Sequence, residues 1–170
     1  MIEEFAILNA SVLIVDDRAA NVQLLEQLLR DTGYTNITVT MNPVVVCDLH
    51  KANAYDLILL DLNMPVMDGF AVMAQLKTAG TDPYLPVIVL TAEPRHKLQA
   101  LQAGAKDFIS KPFDLLEVKT RIYNMLEVRL LYKKVDNYSK LLEMAMQQDA
   151  ADAACATSVR LEAAVQATGV

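Results

Sequence analysis

The chain has 170 residues, 54% of them hydrophobic, enough to bury one core of ordinary size and leave an appendage. A formal net charge of −6 argues against a bare nucleic-acid binder, since phosphate backbones demand a basic face that no segment supplies, and points to protein partners. Cys47 and Cys155 make no disulfide framework, Met1-Ile2-Glu3-Glu4 is unlike a secretory signal, and no apolar run approaches the ~20 residues of a membrane span. The expectation is a soluble, cytoplasmic protein with no membrane or direct nucleic-acid contact.

In chain order, Val12-Leu13-Ile14-Val15 reads as a buried strand, and Ala19 to Thr32 follows as a helix that ends before Gly33. The runs at Ile37–Thr40, Leu57–Leu60, Val87–Leu90 and Asp107–Ile109 are likewise short and mostly rich in β-branched residues. Between them, Pro43 to Ala52, Gly69 to Thr78 and Arg95 to Ala103 carry helical spacing. This repeated βα order predicts a doubly wound, five-stranded parallel sheet of flavodoxin-like type, with a long C-terminal helical extension. Its domains are read as 1–125, the globular domain; 126–148, a helical coiled-coil-like extension; and 149–170, an alanine-rich tail, helical or disordered.

Parallel strands align their carboxyl ends along one edge, where open α/β sheets collect ligands. Asp16 and Asp17 end the first run, Asp61 the third, Thr91 the fourth, and Ser110-Lys111-Pro112 the fifth. Three carboxylates so gathered repel one another unless a cation neutralises them, and Mg²⁺ suits hard oxygens with room left for a phosphate. Pro65 and the Asp68-Gly69 pair mark a loop that leaves Asp61 open to attack phosphorus and form an acyl phosphate. The Lys111 ammonium would offset charge on the phosphoryl oxygens.

Val15-Asp16-Asp17, Leu60-Asp61-Leu62-Asn63-Met64-Pro65-Val66-Met67-Asp68-Gly69, Leu90-Thr91-Ala92 and Ser110-Lys111-Pro112-Phe113 together resemble the receiver domain of bacterial two-component response regulators over roughly residues 10–125. The resemblance implies a phosphoacceptor at Asp61, with Mg²⁺ ligated by Asp17, Asp61 and the Asn63 backbone carbonyl and with Asp16 acting largely through water. It further implies that Lys111 binds the phosphoryl group, that Thr91 is the switch hydroxyl and Phe108 the rotating aromatic, and that the donor is a histidine kinase or phosphotransfer protein. Asn63 and Glu93 stand at two positions that in this family bear on acyl-phosphate hydrolysis. Such a chain is a switch and not a multiple-turnover enzyme.

Taken singly, several of these residues have plainer readings. Asp16 and Asp17 would cap the following helix, Thr91 would bond its own backbone, and Lys111 and Phe108 would be ordinary surface and core residues. His50 and His96 lack partners at metal-ligand spacing and read as solvated helix positions, while Met64, Met67 and Met73 read as packing. Two rival functions are weaker. A haloacid-dehalogenase-type phosphatase expects an Asp where Asn63 stands, and a nucleotide or flavin binder expects glycines where Asp16-Asp17-Arg18 stands.

After Phe113 only 57 residues remain (170 − 113), too few for a usual output domain, so the chain reads as a stand-alone receiver or a fragment of a longer regulator. Val118, Ile122 and Met125 suit packing on the sheet. Val128, Leu131, Val135, Tyr138, Leu142 and Ala145 alternate spacings of three and four, the seam of a parallel homodimer or a stripe covered by the chain's own tail.

Overall fold

The computed structural model describes residues 2–80 and 82–167. A short helix α1 (Glu4–Leu8) precedes β1 (Val12–Val15), α2 (Ala19–Thr32) and β2 (Ile37–Thr40). A 3₁₀ turn (Pro43–Val45) leads into α3 (Val46–Asn53), followed by β3 (Leu57–Asp61), α4 (Gly69–Ala79), β4 (Val87–Thr91), α5 (Pro94–Ala103) and β5 (Asp107–Ser110). The chain closes with α6 (Leu115–Ala167). All strand pairs are parallel, in the order β2-β1-β3-β4-β5, which is the doubly wound flavodoxin-like fold with a long C-terminal helix.

Alternation along the strands divides the core in two. Val12, Ile14, Leu57, Leu59, Ile88 and Leu90 face one side, where Leu25 and Leu29 of α2 and Val118, Ile122 and Leu126 of α6 cover them. Leu13, Val15, Ile58, Leu60, Val87 and Val89 face the other, under Val46 of α3, Val72 of α4 and Ala100 of α5. Burial on both faces is why β1, β3 and β4 read as unbroken apolar runs.

Several boundaries move for local reasons. The segment from Pro43 opens as a 3₁₀ turn because the Asn42 side chain accepts the Val44 amide and holds the first turn tight. Helix α5 begins at Pro94, since proline at the first helical position forfeits only an amide without an intrahelical partner. Helix α1 has no counterpart in the sequence reading. Its Ile7 is buried in the core beside Leu25 and Leu29.

Two compact units divide the chain, Met1–Leu131 and Tyr132–Val170. The first extends past residue 125 because Leu126 and Arg129 are buried in it. In the second, the alanine-rich stretch continues α6 to Ala167, and every described side chain except Tyr132 and Asp136 is exposed. The end of the 149–170 tail, residues 168–170, lies outside the described residues. No helix among the described residues is long and apolar enough to cross a membrane.

Candidate functional site

The pocket lies at the carboxyl edge of the sheet. Asp61 is the last residue of β3 and pairs with Leu90, while Thr91 ends β4 opposite Ser110. Asp16 follows β1, and its amide donates to Thr40 at 3.4 Å. Asp16, Asp17 and Asp61 each offer an oxygen within 4.8 Å of the others. The Lys111 amide donates to the Thr91 carbonyl at 2.9 Å, which brings the lysine over the same edge.

Two of the carboxylates share one cation. Lys111 Nζ donates to Asp16 Oδ2 at 2.7 Å and to Asp61 Oδ1 at 2.9 Å. Burial pushes the Asp61 carboxyl above its ordinary pKa, Lys111 opposes that, and the charges of Asp16 and Asp17 reinforce it. Asn21, on the first turn of α2, grips both oxygens of Asp16 at 3.1 and 2.9 Å, and the Arg18 amide adds a third bond at 2.9 Å. Asp16 is therefore an anchored carboxylate as well as a turn-former. Asn21 escaped the sequence reading, although a position five residues after Asp16, on the helix that this carboxylate introduces, was a usable signal.

The donor set fits a divalent cation. Three hard oxygen ligands converge with a single lysine to balance them, and the buried Asp17 Oδ1 has no hydrogen-bond partner among the described residues. Asn63 is exposed in the loop just after β3.

The loop beyond Asp61 is held close by Gly69. A Cβ there would stand 2.5 Å from the Asp61 carbonyl oxygen and 3.0 Å from Leu62 Cα, so only glycine lets α4 start this near β3. Its amide donates to Leu62 at 3.0 Å, and Asp68 caps α4 through the Ala71 amide at 2.8 Å. Val66 projects into solvent at a φ of 73°, an unusual conformation for a β-branched residue and an instance of backbone strain beside a site.

Thr91 is buried. Its Oγ1 accepts from the Glu93 amide at 3.0 Å and lies 3.4 Å from the Glu93 carbonyl, so in this state the hydroxyl serves its own loop. Phe108 is half-buried on β5 with Lys97 Nζ 4.9 Å from its ring centroid. Glu93 bonds Arg95 at 2.7 Å, which chiefly holds its carboxyl below the usual range, with a smaller contribution from Asn63. His50 departs from expectation. It is 3% exposed instead of solvated, because α3 turns that position inward against Tyr55. His96 is partly covered, packed edge-on to Phe70 with ring centroids 6.0 Å apart.

A doubly wound sheet with an acidic triad and a lysine at its carboxyl edge is the architecture of a signalling receiver. The profile of the response regulator receiver domain matches residues 12–123, and the chain belongs to that family. Response regulator PleD of Caulobacter vibrioides is 35% identical over 126 residues, which are 73% of this chain and 28% of PleD. Chemotaxis protein CheY-3 of Vibrio cholerae is 31% identical over 121 residues, covering 70% of this chain and 93% of CheY-3. The structure of the Francisella response regulator 1452 receiver domain superposes with a TM-score of 0.64 at 28% identity, over 70% of this chain and 98% of that one. The chain thus spans little more than a quarter of PleD and nearly all of CheY-3.

Proposed function

We propose that this chain is a phosphorylation-dependent switch that takes a phosphoryl group onto Asp61 from a histidine kinase or phosphotransfer protein. The observation that carries the reading is the placement of Asp61, buried at a strand end within 4.8 Å of Asp16 and Asp17 and bonded by Lys111 at 2.9 Å. An Asp61 carboxylate oxygen attacks phosphorus, and the new O–P bond forms as the donor's N–P bond breaks, its electron pair staying on the imidazole nitrogen. Lys111 exchanges a carboxylate contact for a phosphoryl oxygen. Thr91, at the end of the neighbouring strand, turns its hydroxyl from Glu93 toward the same group, and Phe108 follows.

Asp17, Asp61 and the Asn63 backbone carbonyl would hold Mg²⁺, with Asp16 acting largely through water. When bound, the ion supplies charge neutralisation of the phosphoryl oxygens. Asn21 fixes the Asp16 carboxylate that faces it. With acetyl phosphate and Mg²⁺, intact-mass spectra should show one added phosphoryl group, about 80 Da by acyl-phosphate chemistry. Asp61→Asn should abolish the gain, and unchanged incorporation in that variant would defeat the assignment.

The phosphoacceptor domain is proposed to span residues 1–125 and to be completed by Leu126 and Arg129 at the start of the 126–148 pairing helix, with 149–170 a tail of unassigned role, in a cytoplasmic protein acting through protein partners rather than DNA. The stripe with Val135, Tyr138 and Leu142, all more than half exposed, supports self-association of two copies. Val at 128 and 135 with Leu at 131 is the alternation that favours a parallel pair of helices. The alanine-rich segment is the continuation of the same helix and so does not return to cover the stripe.

A further inference from the structure

The amino-terminal edge of the sheet carries a second charged cluster. Arg129 of α6 is only 4% exposed. Its guanidinium grips Asp82 with both Nη atoms, Nη1 at 3.0 Å from Oδ1 and Nη2 against Oδ2, and Nη1 also donates to the Tyr84 carbonyl at 2.8 Å. Nε lies 3.7 Å from Asp56 Oδ1 and has no hydrogen-bond partner among the described residues. Asp56 accepts the Ser11 amide at 3.1 Å and the Ser11 hydroxyl at 3.2 Å.

Stability alone does not explain this arrangement. Burying these charges costs several kcal/mol per ion, and well-packed apolar residues of like volume commonly serve as well. What the cluster adds is uniqueness of position. Val118, Ile122 and Leu126 recur every four residues on the buried face of α6, so that stripe by itself tolerates a slip of one turn. The Arg129 fork meets its two carboxylates in one register only.

The partners of Arg129 also stand at telling places. Asp56 immediately precedes β3, which ends in Asp61, and Asp82 and Tyr84 lead into β4, which ends in Thr91. Each strand spans five residues, or ~16 Å from one edge of the sheet to the other. Two of the strands that reach the acidic pocket, β3 and β4, thus have beginnings that hold α6.

We propose that Arg129, Asp82 and Asp56 form a latch that fixes the register of α6 on the sheet and opens when Asp61 is phosphorylated. The proposal rests on the reading of Asp61 as phosphoacceptor. In the closed state Thr91 bonds Glu93 and Lys111 bridges Asp16 and Asp61. A phosphoryl group recruits both side chains and draws on the far end of β4. The latch yields first because it is incompletely satisfied: the guanidinium Nε has only the distant charge of Asp56, 3.7 Å away, and no hydrogen-bond acceptor among the described residues. Linkage then works in both directions, so weakening the latch favours the state that binds the phosphoryl mimic.

Beryllofluoride with Mg²⁺ would be titrated calorimetrically into the full chain, Arg129→Met and Asp82→Asn, each checked for native circular dichroism. Both variants should bind at least about five-fold more tightly than the parent, the lower range of measured couplings. Hydrogen exchange should quicken in α6 around residues 126–131 while β1 and β3 keep their protection. If Arg129→Met fails to fold, Asp82→Asn, which preserves shape, decides alone. Affinities less than about five-fold tighter than the parent's, or weaker, overturn the latch and leave the phosphoacceptor reading intact. No binding by the parent chain defeats both.

Discussion

The Arg121 guanidinium lies over the Phe108 ring, 5.5 Å from its centroid, while its Nη1 donates to both oxygens of Asp107 at 2.8 and 2.7 Å. The residue before the ring and the ring itself are thus held by one arginine of α6, and Lys97 of α5 approaches the same ring. Cation–π contacts at such partly exposed sites contribute ~0.5–1 kcal/mol each, enough to bias a rotamer and weak enough to be reversed.

That balance predicts a separation of chemistry from response. Thr91→Ala keeps the nucleophile and should still gain a phosphoryl group. It should lose the chemical-shift changes that beryllofluoride causes at Phe108 and in α5 of the parent chain. Normal shifts in the variant would remove Thr91 from the switch.

Gly69→Ala should be among the costliest single changes. Its Cβ meets backbone at 2.5 Å, which no rotamer relieves, so either α4 or the Asp61 carbonyl must move. A loss of about 1–3 kcal/mol in urea unfolding is expected from overpacking, together with slower phosphorylation. A variant as stable as the parent would show that the approach of α4 to β3 is looser than described.

The strand runs and the acidic edge were legible because both are written locally: apolar runs of four or five residues and polar residues at their ends. The burial of Arg129 and His50 was not. An arginine or histidine on a helix reads as solvated unless its partners are known, and Asp82 stands 47 residues before Arg129. Helix α1 was missed because five residues without a side-chain N-cap carry almost no helical signal, and its order comes from Ile7 entering the core.

His50 also makes stability depend on pH. Burial holds its imidazole below the usual pKa, with Arg129 acting in the same sense and Asp82 and Asp56 opposing. A folded-state pKa below the unfolded one means that the unfolded chain binds the proton more readily. Stability is therefore full above the unfolded value, about 6.5, and declines as pH falls toward the folded value. Thermal midpoints should drop between pH 7.5 and 5.5, and less so in His50→Phe, which preserves the ring stacked on Tyr55. Equal slopes in the two proteins would assign the pH dependence to other groups.

Self-association is open to direct measurement. Sedimentation should report a dimer at micromolar concentration, weakened when Leu131→Asp is combined with Val135→Asp, while incorporation at Asp61 persists. A monomeric parent chain, with and without the phosphoryl mimic, would assign the stripe to a different partner.

Helix α6 supplies a wall of the core through Val118, Ile122 and Leu126, and the next turn delivers Arg129 to the far edge of the sheet. Anyone cutting this protein to graft its receiver domain onto another protein must respect that wall. A cut at residue 125 would strip Leu126 from the apolar face and leave Asp82 and Asp56 without their shared cation. The natural splice point falls after Leu131, where the first compact unit closes.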